Sequence, residues 1–158
     1  MTLIIELDNN SIDSLDLTPA HKIITSLPQD QKITDYEQKL QFKINYQREE
    51  TDPRELSEIP EIRLWFIRLD TAYPWLPYLL DWKTGELARY SAMLVPHQFS
   101  RGEGIIYNPE ALEIFVMQKI FAIAEWLKQK GISSRFRLKS MAQILGYDLD
   151  DSFFDMLE

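Results

Sequence analysis

The chain has no cysteine. That absence removes disulfides, thiol nucleophiles, thiolate-held iron–sulfur clusters and cysteine-type zinc sites together. Histidine is nearly as scarce, and His21 with His97 is too small a supply for a histidine-rich metal centre. No Asp-rich loop of the calcium-binding type appears, and no metal or cofactor is implied. No apolar run approaches a membrane span: the longest apolar pattern, residues 111–127, is broken by Glu113, Gln118, Lys119 and Glu125. The nucleophile elbow, the zincin helix, the P-loop and the kinase set are all missing. Gly102-Glu103-Gly104 lacks the third glycine and the strand-turn-helix setting of a phosphate loop. Met1-Thr2-Leu3-Ile4-Ile5-Glu6 has neither a basic leader nor an Arg/Ser-rich transit composition, so the protein is expected to stay in the cytoplasm where it is made.

What is present describes an ordinary globular protein. The 158 residues suffice for a core without staples, and 45% apolar with 27% charged residues is a soluble composition. The net charge of −8 is uneven. Residues 1–60 carry 12 acids against 6 bases, residues 61–108 balance at 5 and 5, and residues 109–158 carry 8 against 6. Nucleic acid, which demands a basic face, is excluded as a partner. A basic or neutral protein surface fits better.

Residues 2–7 read as a short strand, and Thr18-Pro19 opens a helix that stops before Pro28. His21 reads as decoration on that helix. Leu40, Phe42, Ile44 and Tyr46 alternate with Gln41, Lys43, Asn45 and Gln47, the period of a half-buried strand. Residues 61–69 have apolar residues on both faces of a period-two pattern and are expected to form a central strand. Lys83-Thr84-Gly85 is expected to be the loop of a hairpin between residues 78–82 and 86–95, with a helix over 86–93 as the alternative. Asn108-Pro109-Glu110 starts a long helix that ends before Gly131. Two shorter helices follow, and the basic cluster Lys128 to Lys139 precedes the acids Asp148 to Glu158. Such a pattern reads as a solvated surface or as a tail folding back on its own bases.

Residues 63–98 hold three of the four tryptophans, with Tyr73, Tyr78, Tyr90, Arg68 and Arg89, along a path stiffened by Pro74, Pro77 and Pro96. Aromatic rings beside arginines are the material of protein-binding hot spots, and equally of a core crossed by aromatic elements. Residues on expected turns, strand ends and loops supply the candidate surface: Tyr73, Trp75, Arg89, Tyr90, His97, Gln98 and Arg101, while Trp65 belongs to the core. Arg68, Asp70, Asp81 and Lys119 are candidates for buried ion pairs, because a charge on an apolar face needs a partner. A catalytic alternative would use His97 as a base with Asp70 or Asp81.

The runs Asp52-Pro53-Arg54-Glu55-Leu56-Ser57-Glu58-Ile59-Pro60-Glu61-Ile62-Arg63-Leu64-Trp65-Phe66 and Tyr73-Pro74-Trp75-Leu76-Pro77 resemble the chlororespiratory reduction six family of cyanobacteria and plastids. So do Leu80-Asp81-Trp82, Gly85-Glu86-Leu87-Ala88-Arg89-Tyr90, Val95-Pro96-His97-Gln98 and Asn108-Pro109-Glu110-Ala111-Leu112-Glu113. The resemblance covers roughly residues 50–130. It implies a soluble assembly factor for the photosynthetic NAD(P)H dehydrogenase-like complex, with the iron–sulfur subunit of the peripheral arm as the expected client. It implies no catalytic residue and no membrane insertion. Plastid members carry a transit peptide, so a chain that starts as this one does is expected to be cyanobacterial and cytoplasmic. A structural accessory subunit of the same complex is the remaining alternative.

The expected fold is α+β: residues 1–132 as one domain with a mostly antiparallel sheet of four or five strands under the long helix, and residues 133–158 as a helical appendage.

Overall fold

The structure, a computed structural model, describes residues 2–27, 33–95, 98–100, 102, 104–106, 108–133 and 135–157. Chain contacts group it into two units, Met1–Leu94 and Val95–Glu158.

In the first unit the alternating pattern gives two strands, β1 (Leu3–Asp8) and β2 (Leu40–Asn45). Ile5, Leu7, Leu40 and Phe42 are buried, while Glu6, Asp8, Lys43 and Asn45 face solvent. The strands pair in parallel, from Leu3 opposite Leu40 to Asp8 opposite Asn45. A hairpin cannot join parallel strands; the crossover here carries two helices, α1 (Asn9–Asp13) and α2 (Thr18–Thr25). Asp8 caps α1 in a reciprocal box, its Oδ1 accepting the Ser11 N–H at 2.9 Å while the Asp8 N–H donates to Ser11 Oγ at 3.1 Å. α2 begins where Thr18-Pro19 predicts, with Leu17 at the cap position and its carbonyl accepting the Ala20 and His21 N–H groups at 3.0 Å. The Asp16 carboxylate holds the entry, accepting from the Thr18 N–H at 2.9 Å and its hydroxyl at 2.5 Å.

The expected antiparallel sheet of four or five strands is not formed. The described residues make eight helices, the parallel pair and one short antiparallel pair. Residues 61–69, read as a central strand, lie in helix α3 (Pro60–Ala72). Ile62, Trp65, Phe66 and Leu69 are buried at i, i+3, i+4 and i+7, a helical stripe, and Pro60 with Glu61 supplies a helix start. The expected hairpin is two helices, α4 (Leu76–Leu79) and α5 (Glu86–Leu94). Lys83-Thr84-Gly85 is the entry to α5: Asp81 Oδ1 accepts the Lys83 and Thr84 N–H groups at 3.1 and 3.2 Å, and Gly85 takes φ +90°. The weighed alternative, a helix over 86–93, is the one observed. The core of this unit is an aromatic cluster in which Phe42 packs on Trp65, Phe66 and Tyr90 with ring centroids 5.0–6.3 Å apart.

The second unit holds an antiparallel pair, β3 (Gln98–Ser100) with β4 (Gly104–Ile106), and three helices. α6 (Pro109–Gln129) starts as its sequence predicts, Asn108 Oδ1 accepting the Glu110 and Ala111 N–H groups at 3.1 and 3.3 Å. It ends in a Schellman turn: the Ile132 N–H donates to the Leu127 carbonyl, and Gly131 sits at φ +70°. α7 (Arg135–Ile144) closes the same way through Gly146. Asp150 caps α8 (Asp151–Leu157). The acidic tail does fold back on the bases before it, Arg135 meeting Asp155 at 2.7 Å and Lys139 meeting Asp151 at 3.6 Å.

Candidate functional site

The turn after α3 brings two of the predicted binding residues together. Tyr73 ends the helix, and Trp75 precedes α4, with their rings edge-to-face at 5.7 Å. His21 joins them from α2, with Nδ1 2.5 Å from Tyr73 Oη and the rings 5.4 Å apart. All three are half-buried, so each presents part of a ring to solvent. His21 is therefore a hydrogen-bonded member of an aromatic cluster, contrary to its reading as decoration. No local signal marks this contact, which spans 52 positions of sequence.

The other predicted residues scatter. Arg89 is exposed on α5 and pairs with Glu86 at 3.4 Å. Tyr90 is buried, against its surface reading, because it occupies the inward stripe of α5 with Leu87 and Leu94. Its hydroxyl donates to Asp70 Oδ1 at 3.2 Å, and burial pushes the phenol well above its ordinary pKa. Gln98 lies in β3, opposite Ile106. His97 and Arg101 lie outside the described residues.

Of the ion-pair candidates, Arg68 is exposed on the outer face of α3, so its placement among core residues is corrected along with the strand that implied it. Asp70 serves Tyr90. Asp81 serves the backbone turn and accepts from Gln41 Nε2 at 3.3 Å. Lys119 is buried as expected, its Nζ 5.6 Å from the Phe115 ring centroid. Both carboxylates of the catalytic alternative thus have structural duties, and among the described residues no three His, Asp or Glu side chains converge on a metal-sized space.

Sequence reasoning missed Glu86, which is 8% exposed at the start of α5. Burial raises its carboxyl above the usual 4.5, while Arg89 and a hydrogen bond from the Phe42 N–H pull the other way. A carboxyl whose pKa rises on folding binds its proton more tightly in the folded state. Its favourable share is complete below 4.5 and is lost as pH rises through the folded pKa. Glu86→Gln keeps an acceptor for Phe42 and removes the charge. It is expected to raise the urea midpoint at neutral pH, with a gain that disappears as pH falls below 4.5. A gain independent of pH would assign the difference to packing.

A cavity of about 400 Å³ in the second unit is lined mainly by Leu127, Ile132, Leu138, Phe154 and Leu157, with Lys128 and Arg135 among its walls. No described helix is long and apolar enough to cross a membrane. No solved structure matches the chain. A family model for chlororespiratory reduction 6 matches residues 7–156, and that family is linked to assembly of the NDH complex. The chain belongs to the chlororespiratory reduction 6 family.

Proposed function

We propose that the protein is a non-catalytic assembly factor that holds an unassembled hydrophilic subunit of the NAD(P)H dehydrogenase-like complex, its iron–sulfur arm subunit, in the cyanobacterial cytoplasm. The observation that carries this reading is the family match over residues 7–156, nearly the whole chain. Chemistry supports it from two directions. A cysteine-free chain supplies no thiolate to a cluster, so its contribution to an iron–sulfur client is to hold polypeptide. The half-buried Tyr73–Trp75 pair offers rigid amphipathic rings, the anchors that dominate binding energy when a partner covers them.

Affinity capture of the arm subunit from cells tests it, with the wild type beside Trp75→Ala and Arg89→Ala, each checked for an unchanged melting temperature. The wild type is expected to recover the free subunit and not the finished complex, and Trp75→Ala to recover about tenfold less, the loss of one good anchor. Stoichiometric presence in the mature complex would replace this reading with that of an accessory subunit. Absence of any dehydrogenase subunit would sink both.

A further inference from the structure

We propose that the outer edge of β1 is a strand-addition site that takes an extended, basic segment of a partner protein. The inference deepens the client-binding reading and rests on it.

The parallel ladder divides the backbone of β1 by alternation. The Leu3 N–H donates to the Lys39 carbonyl at 2.6 Å, which turns the groups of Leu3, Ile5 and Leu7 toward β2. Ile4 and Glu6 therefore aim their N–H and C=O groups the other way, and among the described residues neither has a hydrogen-bond partner for them. The far edge of β2 is treated differently. There the Leu40 carbonyl accepts the Asp81 N–H at 3.3 Å, and the Phe42 N–H meets the Glu86 carboxylate. Among the described residues, one edge of the sheet is closed by its own chain and the other is not.

β1 reads Leu-Ile-Ile-Glu-Leu-Asp, with no proline and an unbroken six-residue register against β2. A two-stranded sheet is itself marginal, and a third strand adds both hydrogen bonds and covered apolar surface. A groove of about 430 Å³ accompanies this edge, lined by Ile4 and Glu6 of β1, Asp16 before α2, and Pro19, Lys22 and Ile23 of α2. An exposed strand edge beside a helix is the geometry that accepts an extended peptide, with backbone bonds for affinity and side-chain contacts for choice.

Charge selects the occupant. Glu6 and Asp16 put two carboxylates into the groove against the one ammonium of Lys22, and Glu6 also meets Lys43 of β2 at 3.9 Å, a largely exposed pair that solvent screens. Asp16 stays ionised, because the Thr18 hydroxyl and N–H bind its carboxylate. Residues 1–60, which contain the groove, carry 12 acids against 6 bases. A strand with a Lys or Arg beside Glu6 and Asp16, and an apolar side chain over Ile4, Pro19 and Ile23, complements it. A second copy of β1 would instead bring its own Glu6 to this acidic groove.

Proline isolates the edge. At position 4 it removes an N–H that β2 does not use, so the ladder survives while the outward donor is lost. The experiment titrates the full-length, isotope-labelled chain with two synthetic peptides, Thr-Lys-Val-Arg-Val-Thr and Thr-Glu-Val-Glu-Val-Thr. The basic peptide is expected to shift the Ile4 and Glu6 amide resonances and slow their hydrogen exchange. Ile4→Pro should bind it about tenfold or more weakly, Ile4→Val, which keeps both the outward N–H and an apolar side chain, should bind like the wild type, and the acidic peptide should bind no protein. Equal binding by Ile4→Pro, perturbation elsewhere with Ile4 and Glu6 unchanged, or self-association through β1 would each overturn the inference. Failure here is separable from failure of the client reading. A client captured equally by wild type and Ile4→Pro removes the edge alone, and loss of all client capture leaves the peptide titration to decide the edge.

Discussion

Trp65→Ala is expected to cost about 3–5 kcal/mol, a large share of the total stability of an ordinary domain. Trp65 is 0% exposed, and its ring meets Phe42 at 6.3 Å and Phe66 at 5.0 Å, both edge-to-face. Truncation leaves a void among rings that are themselves tied to β2 and α5, so the site cannot collapse onto it. It also strands a polar group: the indole Nε1 donates to the Asp16 carbonyl at 2.9 Å, in the turn that leads into α2. Trp65→Phe separates the two effects, keeping a ring and losing the donor, at about 1–2 kcal/mol. Urea unfolding followed by circular dichroism reads both, since the substitution alters tryptophan fluorescence. A loss under about 1 kcal/mol for Trp65→Ala would mean that the aromatic cluster is not the centre of the first unit.

The same tryptophan shows how far the sequence carried. Its place in the core was legible; the element that puts it there was not. Over residues 61–69 a period-two reading pairs Ile62 with Leu64 and Phe66, whereas the buried set is Ile62, Trp65, Phe66 and Leu69. So many apolar residues fall in this stretch that both periods find support, and Pro60 with Glu61 was the discriminating signal. Arg68 inherited the error: it seemed to sit among apolar neighbours on a strand, and on a helix it lies outside. Tyr90 reversed for the same reason, since the hairpin reading left it on the surface and α5 turns it inward. α6, α7 and α8 were legible because Asn108, Gly131, Gly146 and Asp150 are caps whose chemistry is local. β1 and β2 were legible as strands from their alternation, but alternation does not state which strand pairs with which, or in what sense. The site followed the same division. Tyr73 and Trp75 lie close in sequence, so their contact is local, whereas His21 reaches them only through the packing of α2.

Phe154→Ala is expected to undock α8 at a cost of about 3 kcal/mol, the low end for a buried aromatic because the site already borders open volume. α8 has seven residues, too few for a helix to persist without tertiary contacts. Rings and ion pairs hold it, with Phe153 packed 5.9 Å from the Phe121 ring of α6. Phe154 is 3% exposed, with Arg135 stacked 6.0 Å from its ring, and the ion pairs Arg135–Asp155 and Lys139–Asp151 lie alongside. Both acids are largely exposed, and pairs of that kind contribute at most about 1 kcal/mol each. The ring therefore carries the docking, and the acid–base pattern that stands out in the sequence only orients it. Hydrogen exchange on the whole chain distinguishes the two contributions. Phe154→Ala should strip protection from the α8 amides while those of β1 and α3 keep theirs, and Lys139→Ala should leave α8 nearly as protected as in the wild type. Equal loss in both variants would give the tail to its charges and reverse the order argued here.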